Sequence, residues 1–252
     1  MTIAERLLSL THEAKRMGFE QQRLHVALGV CTSMSSTIFS RLCMRLLECE
    51  PHLSVTVATL HSTEMYDEID TRQVDLAFSL LERAHPSVSV RPCFSEPMLG
   101  IRLAGADCED GQTVRIEDLD PGLELYFPWT PLYQIWHCEH CTSGAMRVTV
   151  DDPHLLFTLL QKPDQWAIVP LSIARYFRRR GRYAIFQVTP RPPDRICYRL
   201  AHKYPRPHAQ KAITLTEGYL DQILACEFGP DCEDVGVADL CKKTPASKQS
   251  EG

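Results

Sequence analysis

The chain has no strong excess of either charge: 27 Lys and Arg stand against 32 Asp and Glu, a formal net charge of −5. Neither half is basic enough to serve as an electrostatic footprint for DNA, which excludes nucleic-acid binding by this chain alone. Long apolar runs are also missing. Stretches such as 76–81 fall far short of the roughly 20 residues a membrane helix needs, so no span is expected. The amino terminus carries Glu5 and Arg6 inside what would be a signal core and continues into Glu13, Lys15 and Arg16. It does not read as a secretory leader, and the expected compartment is the cytosol. Catalytic signatures are absent too: there is no Gly-x-Ser-x-Gly, His-Glu-x-x-His, Walker loop or Gly-x-Gly-x-x-Gly, and the chain is not read as an enzyme or as the holder of a cofactor.

What is present is the composition of an ordinary globular protein, with 44% hydrophobic, 23% charged and 8% aromatic residues. The 252 residues allow one large domain or two lobes of about 100 each. Eleven cysteines is an odd count. Cys31, Cys43, Cys49, Cys93, Cys197 and Cys226 sit singly in apolar surroundings, as reduced thiols acting as small hydrophobes do, and a disulfide framework is not expected.

Ile3, Leu7, Leu10, Ala14 and Met17 recur at alternating spacings of four and three, the pattern of a coiled-coil seam or of a helix packed on its own domain. After Gly18 the period changes. Residues 23–30 become continuously apolar, as a strand buried on both faces does, and end in the hydroxyl cluster Thr32, Ser33, Ser35 and Ser36. Ile38, Phe39, Leu42, Leu46 and Leu47 then recur at helical spacing up to Pro51. Residues 53–60 form a second strand, 63–70 a short acidic helix and 74–81 a third strand, so βαβ units are expected. Two extended stretches over 88–104 are bracketed by Pro92 and Pro97. Further on, 123–127 and 146–150 are strand candidates. A helix over 153–161 is capped by Asp151 or Asp152 with proline in its first turn, and one over 171–180 stops at Gly181. The last helix covers 208–228, and the polar tail beyond Gly229 reads as disordered.

These phrases in this order resemble the effector-binding domain of LysR-type transcriptional regulators. They are RLHVALGV opening into a Thr/Ser turn, FSRLCMRLLECEPHLSVTV, EIDTRQVDLAFSLL and MRVTVDDPHLLFTLLQKPDQWAIVPLSIA. The match covers about residues 1–228. Family members carry Gly ahead of the aspartate where this chain has Gln73, and a Gly-rich approach to the proline matched here by Pro170, where this chain has Lys162, Pro163, Asp164, Gln165 and Trp166. The resemblance implies an α/β, two-lobed fold of the type II periplasmic-binding-protein kind, each lobe a mostly parallel sheet flanked by helices. It assigns 1–22 to a linker or dimerisation helix, 23–98 with 200–228 to lobe I, 99–199 to lobe II and 229–252 to the tail. It further implies a small-molecule effector, pairing as a homodimer or higher oligomer, and DNA contact only through a helix-turn-helix absent from this chain. The effector would be released or held by a shift between open and closed lobes.

In doubly wound sheets ligands sit beyond the carboxyl ends of strands, where free backbone N–H groups favour an anion. Thr32, Ser33, Ser35 and Ser36 lie at such a point, and the alternative is that one hydroxyl simply caps the helix. The resemblance places the opposite wall at Phe127, Trp129 and Thr130 and near Val150 and Pro170, with Trp129 and Tyr133 as an apolar floor. His61 falls on the rim. His137, Cys138, His140 and Cys141 combine a Cys-x2-Cys spacing with two imidazoles, donors that suit zinc, but no second ligand pair occurs elsewhere, so no metal is expected there. The rival readings are a stand-alone solute-binding protein, a zinc or redox protein built on Cys138 and Cys141, and an enzyme on the same two-lobed fold.

Overall fold

The computed structural model describes residues 24–104, 111–141 and 147–228. The seam helix of the first 22 residues and the polar tail from 229 lie outside them. Strand β1 (Leu24–Val30) leads into a single helical turn α1 (Thr32–Ser35), helix α2 (Ile38–Cys49), strand β2 (Leu53–Thr59), helix α3 (Glu64–Asp70) and strand β3 (Leu76–Ser79). Strands β4 (Val88–Glu96) and β5 (Met98–Leu103) follow, with Pro97 alone between them. The next stretch holds β6 (Thr113–Arg115), β7 (Leu125–Tyr126), α4 (Pro131–His140), β8 (Val148–Thr149), α5 (Pro153–Leu159), β9 (Trp166–Pro170), α6 (Leu171–Arg180) and β10 (Tyr183–Thr189). Strand β11 (Arg195–His202) and helix α7 (Pro207–Phe228) close the described chain.

The first sheet runs β2-β1-β3-β11-β4. Its apolar residues gather on α2 and α7, and Val26, Leu28 and Val30 are wholly buried. Their continuous run is what a strand covered on both faces requires, whereas in β2 at the edge only Leu53 is buried. Helix α2 turns Ile38, Phe39, Leu42 and Leu46 inward at helical spacing, with Phe39 tilted on Phe78 at 4.4 Å. Burying each such side chain stabilises by roughly 1.5–3 kcal/mol. The turn before β3 is fixed twice over. Arg72 adopts a left-handed backbone, φ 60°, where glycine would be unstrained. Asp75 then accepts the Ala27 N–H at 2.9 Å through its carboxylate and donates its own N–H to Ala27 O, clamping β3 to β1.

The second sheet runs β6-β10-β5-β9, with its own core of Ile101, Trp166–Val169, Phe177 and Phe186. Gly100 lies on β5 under the Phe186 ring, which occupies the space a Cβ would take at 2.1 Å. A small pair, β7 with β8, stands beside this sheet.

The two-lobed α/β architecture is as expected; the strand sense is not mostly parallel throughout. In the first sheet β1 runs parallel to β2 and β3, while β11 is antiparallel to β3 and β4. In the second, only β10 and β6 are parallel, and β5 is antiparallel to both β9 and β10. The reason lies in the crossings between lobes: β5 arrives straight from β4 through Pro97 without a crossover helix and inserts between two strands running the other way. Local signals hold well. Asp152 caps α5, its carboxylate accepting the His154 N–H at 2.8 Å with Pro153 in the first turn, and α6 ends at Gly181. Among the described residues no helix is long and apolar enough to cross a membrane.

Candidate functional site

The carboxyl ends of β1, β2 and β3 meet at one place. Cys31, directly after β1, contacts the Ser62 hydroxyl at 3.4 Å, and Ser62 in turn accepts the Leu80 N–H at 3.1 Å after β3. Burial pushes the Cys31 thiol up, opposed by Ser62 and by the nearby Arg195 charge. No hydroxyl caps either helix here: Cys31 stands at the N-cap of α1 and Thr37 at that of α2, neither with a side-chain cap bond. Instead Ser35 donates to Thr32 O at 2.8 Å, and Thr37 to Met34 O at 3.2 Å. Thr32 is exposed, Ser33 is buried, and Ser36 is half-buried.

Ser33 leads to the residue that the sequence reading missed. Its hydroxyl accepts from Arg195 Nη1 at 3.0 Å, and Arg195 is only 1% exposed. The same guanidinium donates through Nε and Nη2 to Glu96 Oε1, at 3.0 and 2.5 Å, and reaches the Ser172 hydroxyl at 3.4 Å. The second Glu96 oxygen accepts the Ser172 N–H at 2.7 Å. Trp129 presents its ring to the guanidinium at 5.6 Å. One buried ion pair therefore joins the start of α1 in the first lobe to the start of α6 and to Trp129 in the second. Such a pair resists loss of either partner, because the survivor is left as an uncompensated buried charge. Glu96 ends β4 and Arg195 opens β11, the two points where the chain passes between lobes. The only sequence signal for them was a charged residue at the tip of an apolar strand.

The other expected wall residues fall around this pair unevenly. Phe127 stacks on Trp129 at 3.9 Å, and Trp129 Nε1 donates to Ile168 O at 2.6 Å. Pro170 is buried and stands at the N-cap of α6, two residues before Ser172. Leu171 ties that turn to Pro97 O at 3.0 Å. Thr130 caps α4, its hydroxyl accepting the Tyr133 N–H at 3.2 Å. Val150 is buried and donates its N–H to Tyr126 O at 2.9 Å. His61 is exposed, its N–H held by Glu64. Tyr133 stacks on Tyr126 and Trp136, within the core beneath α4.

A second interlobe tie lies at the end of α7. Glu227, buried, pairs with Arg41 of α2 and with Arg175 of α6.

The cysteine segment separates into two faces of α4. His137 Nε2 lies 2.9 Å from both oxygens of buried Glu124, and Cys141 is one turn further on the same face. Donor atoms of Glu124, His137 and Cys141 all lie within 4.8 Å of one another. Cys138 is exposed, and His140 turns away to Trp136 O at 2.8 Å. Burial, with the charge of Glu124 behind it, pushes the Cys141 thiol up to about 12. Burial pushes Tyr126 up to about 12 as well and Tyr133 well above its ordinary value. Glu124 was legible only as a lone acid in the apolar run 123–127.

A family model described as the LysR substrate binding domain matches residues 19–219. A search of curated proteins finds no match. Among solved structures the chain is similar to full-length CbnR in complex with its target DNA, at 14% identity over 86% of this chain and 78% of that one, with a TM-score of 0.65. It is similar to the reduced OxyR regulatory domain from Pseudomonas aeruginosa, at 15% identity, 81% and 97% coverage and a TM-score of 0.63. The reduced OxyR2 regulatory domain from Vibrio vulnificus aligns at 12% identity, 81% and 97% coverage and a TM-score of 0.61. At such identities the likeness speaks to the fold, while the family match spans most of the chain: it belongs to the LysR substrate-binding-domain family, the ligand-binding part of LysR-type transcriptional regulators.

Proposed function

We propose that this chain is the sensing half of a LysR-type transcriptional regulator, binding a small, anionic metabolite between its lobes. The observation that carries the reading is the buried, charge-balanced Glu96–Arg195 pair, whose contacts come from both lobes at once and so mark the interlobe crevice beside the Thr32–Ser33 turn, where backbone N–H groups after a strand favour an anion. An effector carboxylate entering beside it meets the exposed Thr32 hydroxyl and the Ser33 turn on one side, and Phe127, Trp129, Thr130 and the Pro170 turn on the other. Ser35, Ser36, His61 and Val150 complete the lining as positioning groups.

The mechanism is a population shift. A ligand that contacts both lobes favours the arrangement in which those contacts are made together, and its bias equals its difference in affinity between arrangements. Two copies of the chain relay that bias to DNA through helix-turn-helix heads in the cytosol. Pairing is supported by apolar side chains left on two faces: Met44, Leu47 and Val57 on α2 and β2, and Leu132 and Ile135 on α4. The family is one of ligand-binding regulator domains, and no enzymatic step is proposed.

A panel of small mono- and dicarboxylates tested by thermal shift and calorimetry checks the reading. A specific effector present at about a hundred times its Kd stabilises the fold by ~2.7 kcal/mol. Ser33→Ala and Thr32→Val are each expected to weaken it by about tenfold or more, the loss of roughly 1.4 kcal/mol or a charge-assisted contact. Unchanged affinity in both variants removes the hydroxyl turn from the site.

A further inference from the structure

We propose that Glu124, His137 and Cys141 form a site in the second lobe for a single borderline-soft divalent cation, zinc above all, with solvent in the fourth position. The proposal is independent of the effector cleft. It rests on convergence of three donors of different type from two separated stretches, Glu124 just ahead of β7, and His137 in the last turn of α4 with Cys141 at its C-cap. The i, i+4 spacing of that pair puts both on the inward face of the helix. A tetrahedral zinc with metal–donor distances of about 2.0–2.3 Å spaces its ligand atoms by about 3.5 Å. The three donor atoms already lie within 4.8 Å of one another, and the 2.9 Å contacts between His137 and Glu124 need to open only slightly.

The chemistry of the donor set selects the ion. A carboxylate, an imidazole and a thiol together match a borderline-soft cation, whereas calcium or magnesium calls for oxygen donors alone. Three protein ligands with one open position is the arrangement of an accessible zinc site, not of a closed structural one. A second observation points the same way. The Tyr133 hydroxyl is buried and has no hydrogen-bond partner among the described residues, and its ring packs against that of His137 at 5.9 Å. An uncompensated hydroxyl in such a place is costly, and a polar group bound beside it relieves that cost. Loading the site takes the proton off His137 Nε2, leaving the neutral ring protonated at Nδ1, replaces its hydrogen bonds to Glu124 with a metal–nitrogen bond, and forms a metal–sulfur bond at Cys141, whose proton leaves to solvent.

The sequence spacing alone pairs Cys138 with Cys141; the structure replaces Cys138 with Glu124, and the test turns on that exchange. Purified full chain, stripped by chelator, is titrated with cobalt(II) and with zinc(II). One equivalent is expected to bind, and the cobalt form is expected to show a near-ultraviolet thiolate charge-transfer band. Cys141→Ser abolishes that band, and His137→Ala and Glu124→Gln lower zinc affinity by ~100-fold or more. Cys138→Ser leaves the band and the affinity in place. In the wild-type chain, where no variant need fold, zinc is expected to slow alkylation of Cys141 while Cys138 stays reactive. Absence of stoichiometric uptake overturns the proposal. So does binding that survives Cys141→Ser, binding lost in Cys138→Ser, or zinc protection of Cys138 in place of Cys141.

Discussion

Glu96 and Glu124 are both buried carboxylates, 0% and 1% exposed, and each leans on one basic side chain. Their partners differ in kind. Glu96 faces Arg195, and a guanidinium is a permanent cation in proteins; around the pair stand hydroxyls and a backbone N–H from both lobes. Glu124 faces His137, an imidazole charged only when protonated, and a thiol. The first arrangement ties two bodies together at the point where the chain passes between them. The second lies within one body and offers donors whose state depends on protons or on a bound cation. Burial alone therefore says little about what an acid does; the permanence of the opposing charge decides.

The contrast breaks if the hinge pair is dispensable. Arg195→Met leaves Glu96 buried without its cation and is expected to cost about 3–5 kcal/mol, read from urea unfolding. A loss below ~1 kcal/mol would show that water or a neighbour relieves Glu96 readily. An intermediate effect is expected at the other acid. In chelator-treated protein Glu124→Gln keeps an acceptor for His137 and should cost about 1–3 kcal/mol by the same measurement. A cost matching that of Arg195→Met would make the two clusters alike.

The smallest effect sharpens the comparison through pH. The Cys141 thiol is raised from 9.0 to about 12, so the folded chain keeps its proton while the unfolded chain loses it. The stability this contributes is fully present below about pH 9 and declines as pH rises towards 12. Stability measured from about pH 8 to 10.5 should therefore fall less in Cys141→Ser than in the wild type, with the slope damped because the thiol is only half-buried. An identical slope would mean the thiol is not held neutral by its surroundings.

How much of this was legible follows from sequence distance. The Asp152 cap and Pro153, the stop at Gly181 and the buried run of β1 are decided by neighbours within a turn or a strand, and the chain announces them locally. The two-lobed class came from the family resemblance that the order of such elements carries. The antiparallel placement of β5 did not, because it depends on how a strand crosses between lobes. Nor did the Glu96–Arg195 pair, whose members stand 99 residues apart. The hydroxyl turn was visible as a cluster, yet that Ser33 is held by Arg195 while Thr32 faces solvent is a matter of tertiary placement. At the cysteine segment the helical period already sets His137 and Cys141 on one side; only the fold brings Glu124 to them.

Pro97 is the sole residue between β4 and β5, and the Glu96–Arg195 pair sits beside it. A joint that short leaves room for swivelling but hardly any for sliding, so relative movement of the halves, were it to occur, would be a rotation with its pivot near that proline. Displacement then grows with radius: atoms at the guanidinium travel little while the far rim of each half sweeps a wide arc. Under the proposed function, a guest seated close to the fulcrum would turn a small adjustment there into a swing at the periphery.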